Sequence, residues 1–230
     1  MTRLTGHERA AYVQNMFTRI ARRYDLMNRL MTGGQDIRWR KQVIQLAQLK
    51  PNACLLDLGT GTGDLAREAV AQFPQAKVIA ADFTLEMMRV GQKQGPLNFS
   101  SADALSLPFG NSAFDAVVSG FLMRNVIDLQ KAIQEQYRVL NRGGRIVILD
   151  TTRPKKNLLS PFIWLHMHVV IPLLGRLLTG SSDAYRYLPE TTEGFVTAEN
   201  MASRMAAAGF KKVGYERLMF GTIAIHWGEK

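Results

Sequence analysis

Short apolar runs alternate with amphipathic segments in the middle of the chain, between residues 50 and 150. Four of the runs have the length and apolar character of strands: ACLLDLG, KVIAADF, FDAVVSGFLM and GGRIVILDTT. Three intervening segments repeat apolar residues at helical spacing: DLAREAVAQF, TLEMMRVGQKQ (with Thr84 as its candidate N-cap) and DLQKAIQEQYRVLN. Because strands that alternate with helices form parallel βαβ units, the pattern predicts an α/β fold with a doubly wound, mostly parallel sheet.

The two flanks of this core carry different patterns. Residues 1–49 show helical spacing and no strand signal, so we expect a helical N-terminal cap. Residues 151–195 begin with a long apolar stretch and predict a helical lid inserted into the fold. Residues 196–230 hold two strand-like runs, which predict an antiparallel hairpin at the edge of the sheet. We expect one domain over residues 1–230, since a chain of this length with 47% apolar content can bury one sizeable core.

Cysteine content and the N-terminus limit the class of protein. Cys54 is the only cysteine, which excludes a disulfide framework and a cysteine-based zinc site, and we predict no metal. The first residues lack the apolar run of a secretory signal. We therefore expect a cytoplasmic protein.

The net charge of +10 favours an anionic partner, either a nucleic acid or the surface of a membrane. A basic surface without any partner is equally consistent with this charge. The two densest basic clusters, Arg19–Asp25 and Arg153–Lys156, are too short to form a nucleic-acid-binding tail.

A glycine-rich turn follows the first predicted strand. Asp57 precedes three glycines at alternate positions, Gly59, Gly61 and Gly63, and this spacing does not match G-x-G-x-x-G or a phosphate-binding P-loop. Asp64 at the start of the next helix would repel a pyrophosphate. A nucleoside with a cationic sulfonium and an amino-acid tail fits these carboxylates better, and we expect Asp57 and Asp64 near its ammonium group.

Two further carboxylates follow later strands, at the edge where open α/β sheets bind ligands. Asp82 lies where it can accept hydrogen bonds from both ribose hydroxyls, and Asp103 where it can accept one from an adenine amino group. Together with the turn, they predict S-adenosyl-L-methionine as the cofactor, with residues 50–150 as the cofactor-binding core. The predicted cofactor-binding residues are Asp57, Gly59, Gly61, Thr62, Gly63, Asp82, Phe83, Asp103, Ala104, Ser119 and Gly120.

Several segments resemble the ubiquinone/menaquinone biosynthesis C-methyltransferases: YDLMNRLMTGGQDIRWRKQ, LDLGTGTGDLA, FLMRNVID, RVLNRGGRIVILD and GTIAIH. The resemblance extends from about residue 12 to the end of the chain. It implies a class I S-adenosylmethionine-dependent methyltransferase fold, and methylation of a ring carbon of a polyprenylated quinol, with demethylmenaquinol as the expected substrate. Another small aromatic or lipid acceptor is the alternative. Leu122, where the family usually has glycine, and Thr151-Thr152 after Asp150 depart from the family pattern and leave the choice between a benzoquinol and a naphthoquinol open.

Methylation of an electron-rich ring requires groups that favour the deprotonated hydroxyl and later remove the ring proton. We expect Arg124 to stabilise the oxyanion or order a water, and Asn125 to orient that group. Tyr24 and Asp25 are candidates to shape the pocket or position a proton acceptor. The predicted catalytic residues are therefore Arg124, Asn125, Tyr24 and Asp25, and the predicted substrate-binding residues are Asn28, Leu122, Trp164 and His226.

The stretch from Asn157 to Gly175 contains no Asp, Glu, Lys or Arg. Its two prolines and two histidines argue against a transmembrane helix, which leaves a core helix or an apolar lid. We prefer a lid that receives the prenyl tail and makes transient contact with the inner face of the cell membrane, aided by Lys155, Lys156 and Arg176.

Two other functions remain to be weighed. A nucleic-acid methyltransferase is disfavoured because no N/D-P-P-Y/F motif follows the third predicted strand and Cys54 lies inside a strand, so we predict no nucleic-acid partner. A module that only binds the cofactor would need neither the R-N-V segment nor the apolar lid. The pattern leaves a homo-oligomer open.

Overall fold

The computed structural model describes residues 6–154, 158, 160–179 and 183–230. Seven strands form one sheet in the spatial order 3-2-1-4-5-7-6. The strands are β1 (Cys54–Leu58), β2 (Lys77–Asp82), β3 (Asn98–Ser101), β4 (Phe114–Gly120), β5 (Leu140–Thr151), β6 (Lys211–Leu218) and β7 (Ile223–Glu229). Strands β1 to β5 pair in parallel, and β7 is antiparallel to both β5 and β6. The predicted fold class and edge hairpin are confirmed.

Ten helices accompany the sheet in the described part of the chain. They are α1 (Gly6–Ile20), α2 (Tyr24–Met31), α3 (Gln35–Leu46), α4 (Asp64–Gln72), α5 (Leu85–Gln92), α6 (Leu129–Val139), α7 (Ser160–Leu165), α8 (Ile171–Thr179), α9 (Asp183–Gly194) and α10 (Ala198–Ala207). Two 3₁₀ turns, Ala21–Arg23 and Met219–Gly221, and one π-helical turn, His166–Val170, complete the elements.

The sheet is buried on both faces, as a parallel sheet requires. On one face, α3 and α4 contribute Trp39, Val43 and Leu65 to an apolar cluster. On the other, α6 and α10 contribute Ile133 and Met205 to a second cluster. This double cover leaves the carboxyl ends of β1, β2 and β4 as the open edge where a ligand can bind.

Two local predictions need correction. The run FDAVVSGFLM forms the fourth strand rather than the third, because the short β3, which lacks an apolar run, precedes it. Thr84 holds the N-cap position of α5, but its side chain makes no capping hydrogen bond; its backbone N–H instead donates to Asp82 Oδ1 at 2.7 Å.

The apolar stretch predicted as a lid folds into α7, the π-helical turn and α8. Among the described residues, no helix is long and apolar enough to cross a membrane. Lys155, Lys156 and Asn157 lie outside the described residues, as does the side chain of Arg176.

Candidate active site

A cleft of about 440 Å³ opens at the carboxyl ends of the parallel strands, and we call it the donor cleft. Its lining includes most of the predicted cofactor-binding residues: Gly59, Gly61, Asp82, Phe83, Asp103, Ala104 and Gly120. Residues far apart in sequence meet here because the parallel strands all end at the same edge of the sheet.

Two carboxylates of the donor cleft are held by backbone N–H groups. Asp82 accepts hydrogen bonds from the N–H of Gly61 and of Thr84, both at 2.7 Å, so it links the glycine turn to the start of α5. Burial raises the pKa of Asp82, against the opposing effect of these N–H donors. Asp103 accepts from the N–H of Leu105 at 2.9 Å. Both side chains are thus oriented before any ligand binds.

Other predicted cofactor-binding residues lie behind the lining. Asp57 is fully buried; it accepts from the Thr60 hydroxyl and, at 3.0 Å, from the N–H of Ala66, while its Oδ1 has no hydrogen-bond partner. Burial raises the pKa of Asp57 to about 7. Ser119 is also fully buried, and its Oγ is unpaired. These two buried side chains therefore lie beneath the surface of the donor cleft and do not line it.

The remaining two positions shape the turn itself. The Thr62 hydroxyl donates to Asp25 Oδ1 at 2.7 Å, which ties the turn to α2. A side chain at Gly63 would place its Cβ 2.6 Å from Leu97, and the residue has φ +96°, so glycine is required there.

Asp64 lies in an arginine cluster rather than in the donor cleft. Its carboxylate is 3.2 Å from Arg40, 3.3 Å from Arg29 and 3.6 Å from Arg67. Arginines of the N-terminal helices and of α4 neutralise Asp64, so its predicted place beside a bound ammonium group stays a prediction that these ion pairs do not favour. Asp64 joins α4 to those helices instead.

A second cavity of about 360 Å³ lies next to the donor cleft, and we call it the acceptor cavity. Its lining is mostly apolar and comes from α2, α7, the π-helical turn and the turn before β7. Phe121 lines both cavities and is the residue at which they meet. Its backbone has φ +60°, a conformation that costs a non-glycine residue energy and marks the point where the chain leaves β4.

Arg124 is the charged residue of the acceptor cavity. Its guanidinium is buried, with Nη1 2.7 Å from Asp150 Oδ1 and the cation 5.3 Å from the centre of the Phe121 ring. The backbone N–H of Arg124 also donates to Asp150 Oδ2 at 3.2 Å. Asp150 therefore both balances the charge of Arg124 and fixes its direction, while Nε remains without a hydrogen-bond partner.

The other three predicted catalytic residues do not line the acceptor cavity. Tyr24 and Asn125 line the donor cleft. Asn125 Nδ2 donates to the Phe121 carbonyl at 3.0 Å, and its Oδ1 accepts from the Tyr187 hydroxyl at 3.3 Å. Asp25 lines neither cavity, because its two oxygens accept from Thr62 and Gln94. Burial raises the pKa of Tyr24, which disfavours a tyrosinate there.

Of the predicted substrate-binding residues, only Asn28 lines the acceptor cavity. Leu122 lines the donor cleft rather than the acceptor cavity; it would lie 2.8 Å from a Cβ on Gly59, so its side chain narrows the donor cleft. Trp164 is 57% exposed and stacks on His168. His226 is buried with Nε2 3.0 Å from the Ala198 carbonyl, and burial lowers its pKa to about 4. Trp164 and His226 line neither cavity.

The model of the ubiE/COQ5 methyltransferase family matches residues 5–230. The chain belongs to this family. The ubiquinone/menaquinone biosynthesis C-methyltransferase UbiE of Desulfotalea psychrophila is 45% identical over 222 residues, which cover 95% of this chain and 90% of that protein. The demethylmenaquinone methyltransferase of Thermus thermophilus is 45% identical over 220 residues, covering 94% of this chain and all of that protein.

Solved structures agree with the family in fold. The cyclase SpnF superposes with a TM-score of 0.68 at 17% identity, covering 95% of this chain and 94% of that one. A phosphoethanolamine N-methyltransferase of Haemonchus contortus, in complex with S-adenosyl-L-methionine, superposes with a TM-score of 0.61 at 16% identity, covering 81% of this chain and 50% of that one. Family and fold make the protein an S-adenosylmethionine-dependent methyltransferase, as predicted.

Sequence reasoning found Asn28 and Arg124 but missed the other lining residues of the acceptor cavity, among them Phe121, Phe220 and His166. Phe121 belongs to a motif that was noticed, but nothing in its pattern indicates a residue shared by two cavities. Phe220 and His166 enter the cavity from turns that are remote in sequence from the glycine turn. His166 lies within an apolar stretch, where periodicity favours packing over chemistry.

Proposed function

We propose that the protein transfers a methyl group from S-adenosylmethionine to a ring carbon of a polyprenylated quinol, with demethylmenaquinol as the preferred acceptor. The observation that carries this proposal is the apolar acceptor cavity, which holds one buried, carboxylate-balanced arginine and meets the donor cleft at Phe121. The names of the relatives from Desulfotalea psychrophila and Thermus thermophilus support the same acceptor class.

The residues present fit the cofactor. Asp82 and Asp103 offer carboxylate oxygens to ribose hydroxyls and an adenine amino group, and Phe83 and Ala104 offer apolar contact beside them. Asp57 has a buried, unpartnered oxygen under the turn, which suits the ammonium end of the ligand. The cofactor supplies an electrophilic methyl group; the chain positions that group towards the acceptor cavity and excludes water from it.

On the acceptor side, the charge of Arg124 favours the deprotonated quinol oxygen over the neutral hydroxyl. The gain is large in a water-poor cavity because a low dielectric strengthens the interaction. Asn125 stabilises the segment that bears Phe121 and Arg124, Asn28 contributes a polar wall, and Tyr24 shapes the donor side. No covalent nucleophile is needed, consistent with the position of Cys54 in β1.

We further propose that the mouth of the acceptor cavity rests on a membrane surface during turnover. Phe162 and Phe220 both line the cavity and are each 70% exposed, so apolar surface continues from the interior to the outside. Trp164 and Leu165 extend this exposed apolar surface on α7. A prenyl tail can then remain in an apolar environment while the ring enters the protein.

The test is methyl transfer from labelled S-adenosylmethionine to demethylmenaquinol and to its benzoquinol counterpart, both kept reduced. We expect label in the quinol product, with the naphthoquinol preferred. Label transfer to neither quinol, with intact cofactor binding by calorimetry, would contradict the proposed acceptor class and favour another aromatic or lipid acceptor.

A further inference from the structure

We propose that His166 is the proton acceptor for the quinol hydroxyl in the acceptor cavity, an inference that rests on the function proposed above. The methylation needs a group that removes this proton so that the ring carbon becomes nucleophilic. None of the residues predicted from the sequence supplies such a group in the acceptor cavity, whereas His166 does.

Among the described residues that line the acceptor cavity, His166 and Arg124 are the only ones with titratable side chains. Arginine is protonated at all physiological pH values and cannot accept a proton. Asp150 is nearby, but it is engaged by Arg124 and does not line the cavity. His166 is therefore the single described lining residue whose side chain can take up a proton and later give it back.

The hydrogen bonding of His166 selects its tautomer. Nε2 lies 3.2 Å from the backbone carbonyl oxygen of Met31. Because a carbonyl oxygen only accepts, Nε2 must carry the hydrogen, and in the neutral ring the lone pair that can accept a proton is then on Nδ1. The contact also attaches the imidazole to the end of α2, so the ring is oriented by a residue of a different helix.

The π-helical turn forms part of the wall of the acceptor cavity. His166 opens this turn, and Met167 beside it also lines the cavity. His168 instead bonds to Glu193 at 2.8 Å and stacks on Trp164. Isolated π-helical turns occur often at functional sites because the extra residue redirects side chains.

The proposed step balances in protons and electrons. Nδ1 of His166 takes the hydroxyl proton, and the ring carbon uses its electron pair to form a bond to the methyl carbon as the bond from that carbon to sulfur breaks. The sulfonium thereby becomes a neutral thioether, and the ring becomes a neutral dienone. Loss of the ring proton to water then restores aromaticity, and the imidazolium returns its proton to the carbonyl oxygen. One proton is released overall.

The charged side chains around His166 are largely paired. Arg124 lies on the wall of the same cavity, bound to Asp150. On α2, Arg29 pairs with Asp36 and Asp64, and on α9, Glu193 pairs with His168. These pairs leave the imidazole of His166 as the lining group that takes up the hydroxyl proton.

The test compares His166→Gln with wild type, using His168→Gln as the matched control in the same turn. Glutamine can still donate to the Met31 carbonyl, but it cannot accept a proton at neutral pH. We expect His166→Gln to lower kcat by about 10²-fold or more, with KM and cofactor affinity within about threefold. We also expect it to remove the acid-side fall in the pH profile of kcat, whereas His168→Gln keeps both.

A second variant separates proton transfer from packing. His166→Ala should recover activity when imidazole is added, since the free base can occupy the vacated space, and His168→Ala should not respond to imidazole. Retention of kcat within about threefold in His166→Gln, with an unchanged acid limb, would overturn the assignment. If wild type transfers no methyl group to either quinol, the proposed function fails; if wild type does and the His166 variants match it, only the inference about His166 fails.

Discussion

Arg124 and Asp150 form a buried ion pair, 2.7 Å apart, at the wall of the acceptor cavity. Asp150 is the penultimate residue of β5, and Arg124 follows β4, so neighbouring strands of the sheet bring the two side chains together. A buried ion pair stabilises the fold only while both partners are present, so removing either side chain should lower the stability.

Arg124→Ala should lower the free energy of unfolding by about 3–5 kcal/mol, because it leaves the carboxylate of Asp150 buried without a countercharge. Urea unfolding of Arg124→Ala, Asp150→Ala and the double variant measures this. We expect the double variant to lose less free energy of unfolding than the two single variants lose together. Strict additivity would show that the two side chains are not coupled. Loss of methyl transfer in Arg124→Ala indicates a role in catalysis only if this measurement shows that the variant is folded.

Asp82→Asn should weaken binding of S-adenosylmethionine by about 10- to 100-fold, since a charge-assisted hydrogen bond contributes about 1.5–3 kcal/mol. Isothermal calorimetry measures the affinity directly. Glu86→Gln is the matched control, because Glu86 is on α5 nearby but does not line the donor cleft. Equal affinities of Asp82→Asn and wild type would remove Asp82 from the cofactor site.

Gly91→Ala should destabilise the protein by about 1–3 kcal/mol and weaken cofactor binding as well. A Cβ at Gly91 would lie 2.3 Å from the carbonyl oxygen of Thr62, so α5 or the glycine turn must move. Thermal unfolding with and without S-adenosylmethionine reports both effects. Gly110→Ala, where a Cβ would meet nothing within 4 Å, should behave like wild type. If Gly91→Ala changed neither the stability nor the cofactor affinity, the glycine turn would not be packed tightly against α5.

His226 should titrate with a pKa of about 4 in the folded protein, which nuclear magnetic resonance of its ring protons measures. A lowered pKa means that the folded state favours the neutral ring. Its contribution to stability is therefore complete above about pH 6.5 and is lost as pH falls towards 4, by about 3 kcal/mol in total.

His226→Gln isolates this contribution, because every other titrating group, including Asp57 with its opposite dependence, remains. The difference in unfolding free energy between wild type and the variant should change by about 3 kcal/mol between pH 7 and pH 4, with wild type losing more. A ring that titrates near pH 6.5 would contradict the buried, neutral state.

Replacing Trp164 and Leu165 together by glutamate should weaken flotation with liposomes that contain anionic lipid, since both side chains are exposed on α7. Val70→Glu is the control, because Val70 is an exposed apolar residue of α4, away from the acceptor cavity. Unchanged flotation of the double variant would refute the membrane contact, without affecting the proposed chemistry.

Much of the site's donor half was accessible from the sequence, because it depends on local order along the chain. Asp82 and Asp103 follow strands directly, and the carboxyl ends of parallel strands must meet at one edge. Asp64 marks the limit of such local prediction. Its position at the start of a helix was predicted from the sequence, but its partners Arg29 and Arg40 belong to other helices, and no local pattern indicates that these helices contact it.

The order of strands and helices, the parallel sheet and the donor turn follow from periodicity and turn chemistry, which act between residues close together in the chain. The acceptor half does not. Which side chains line its cavity depends on how α2, the π-helical turn and the end of β5 pack together, and that packing joins Met31 to His166 across 135 positions of sequence. Contacts of that separation are selected by the complementarity of whole surfaces, so the division into two cavities meeting at Phe121, and the entry of His166 into one of them, were decided by the tertiary structure alone.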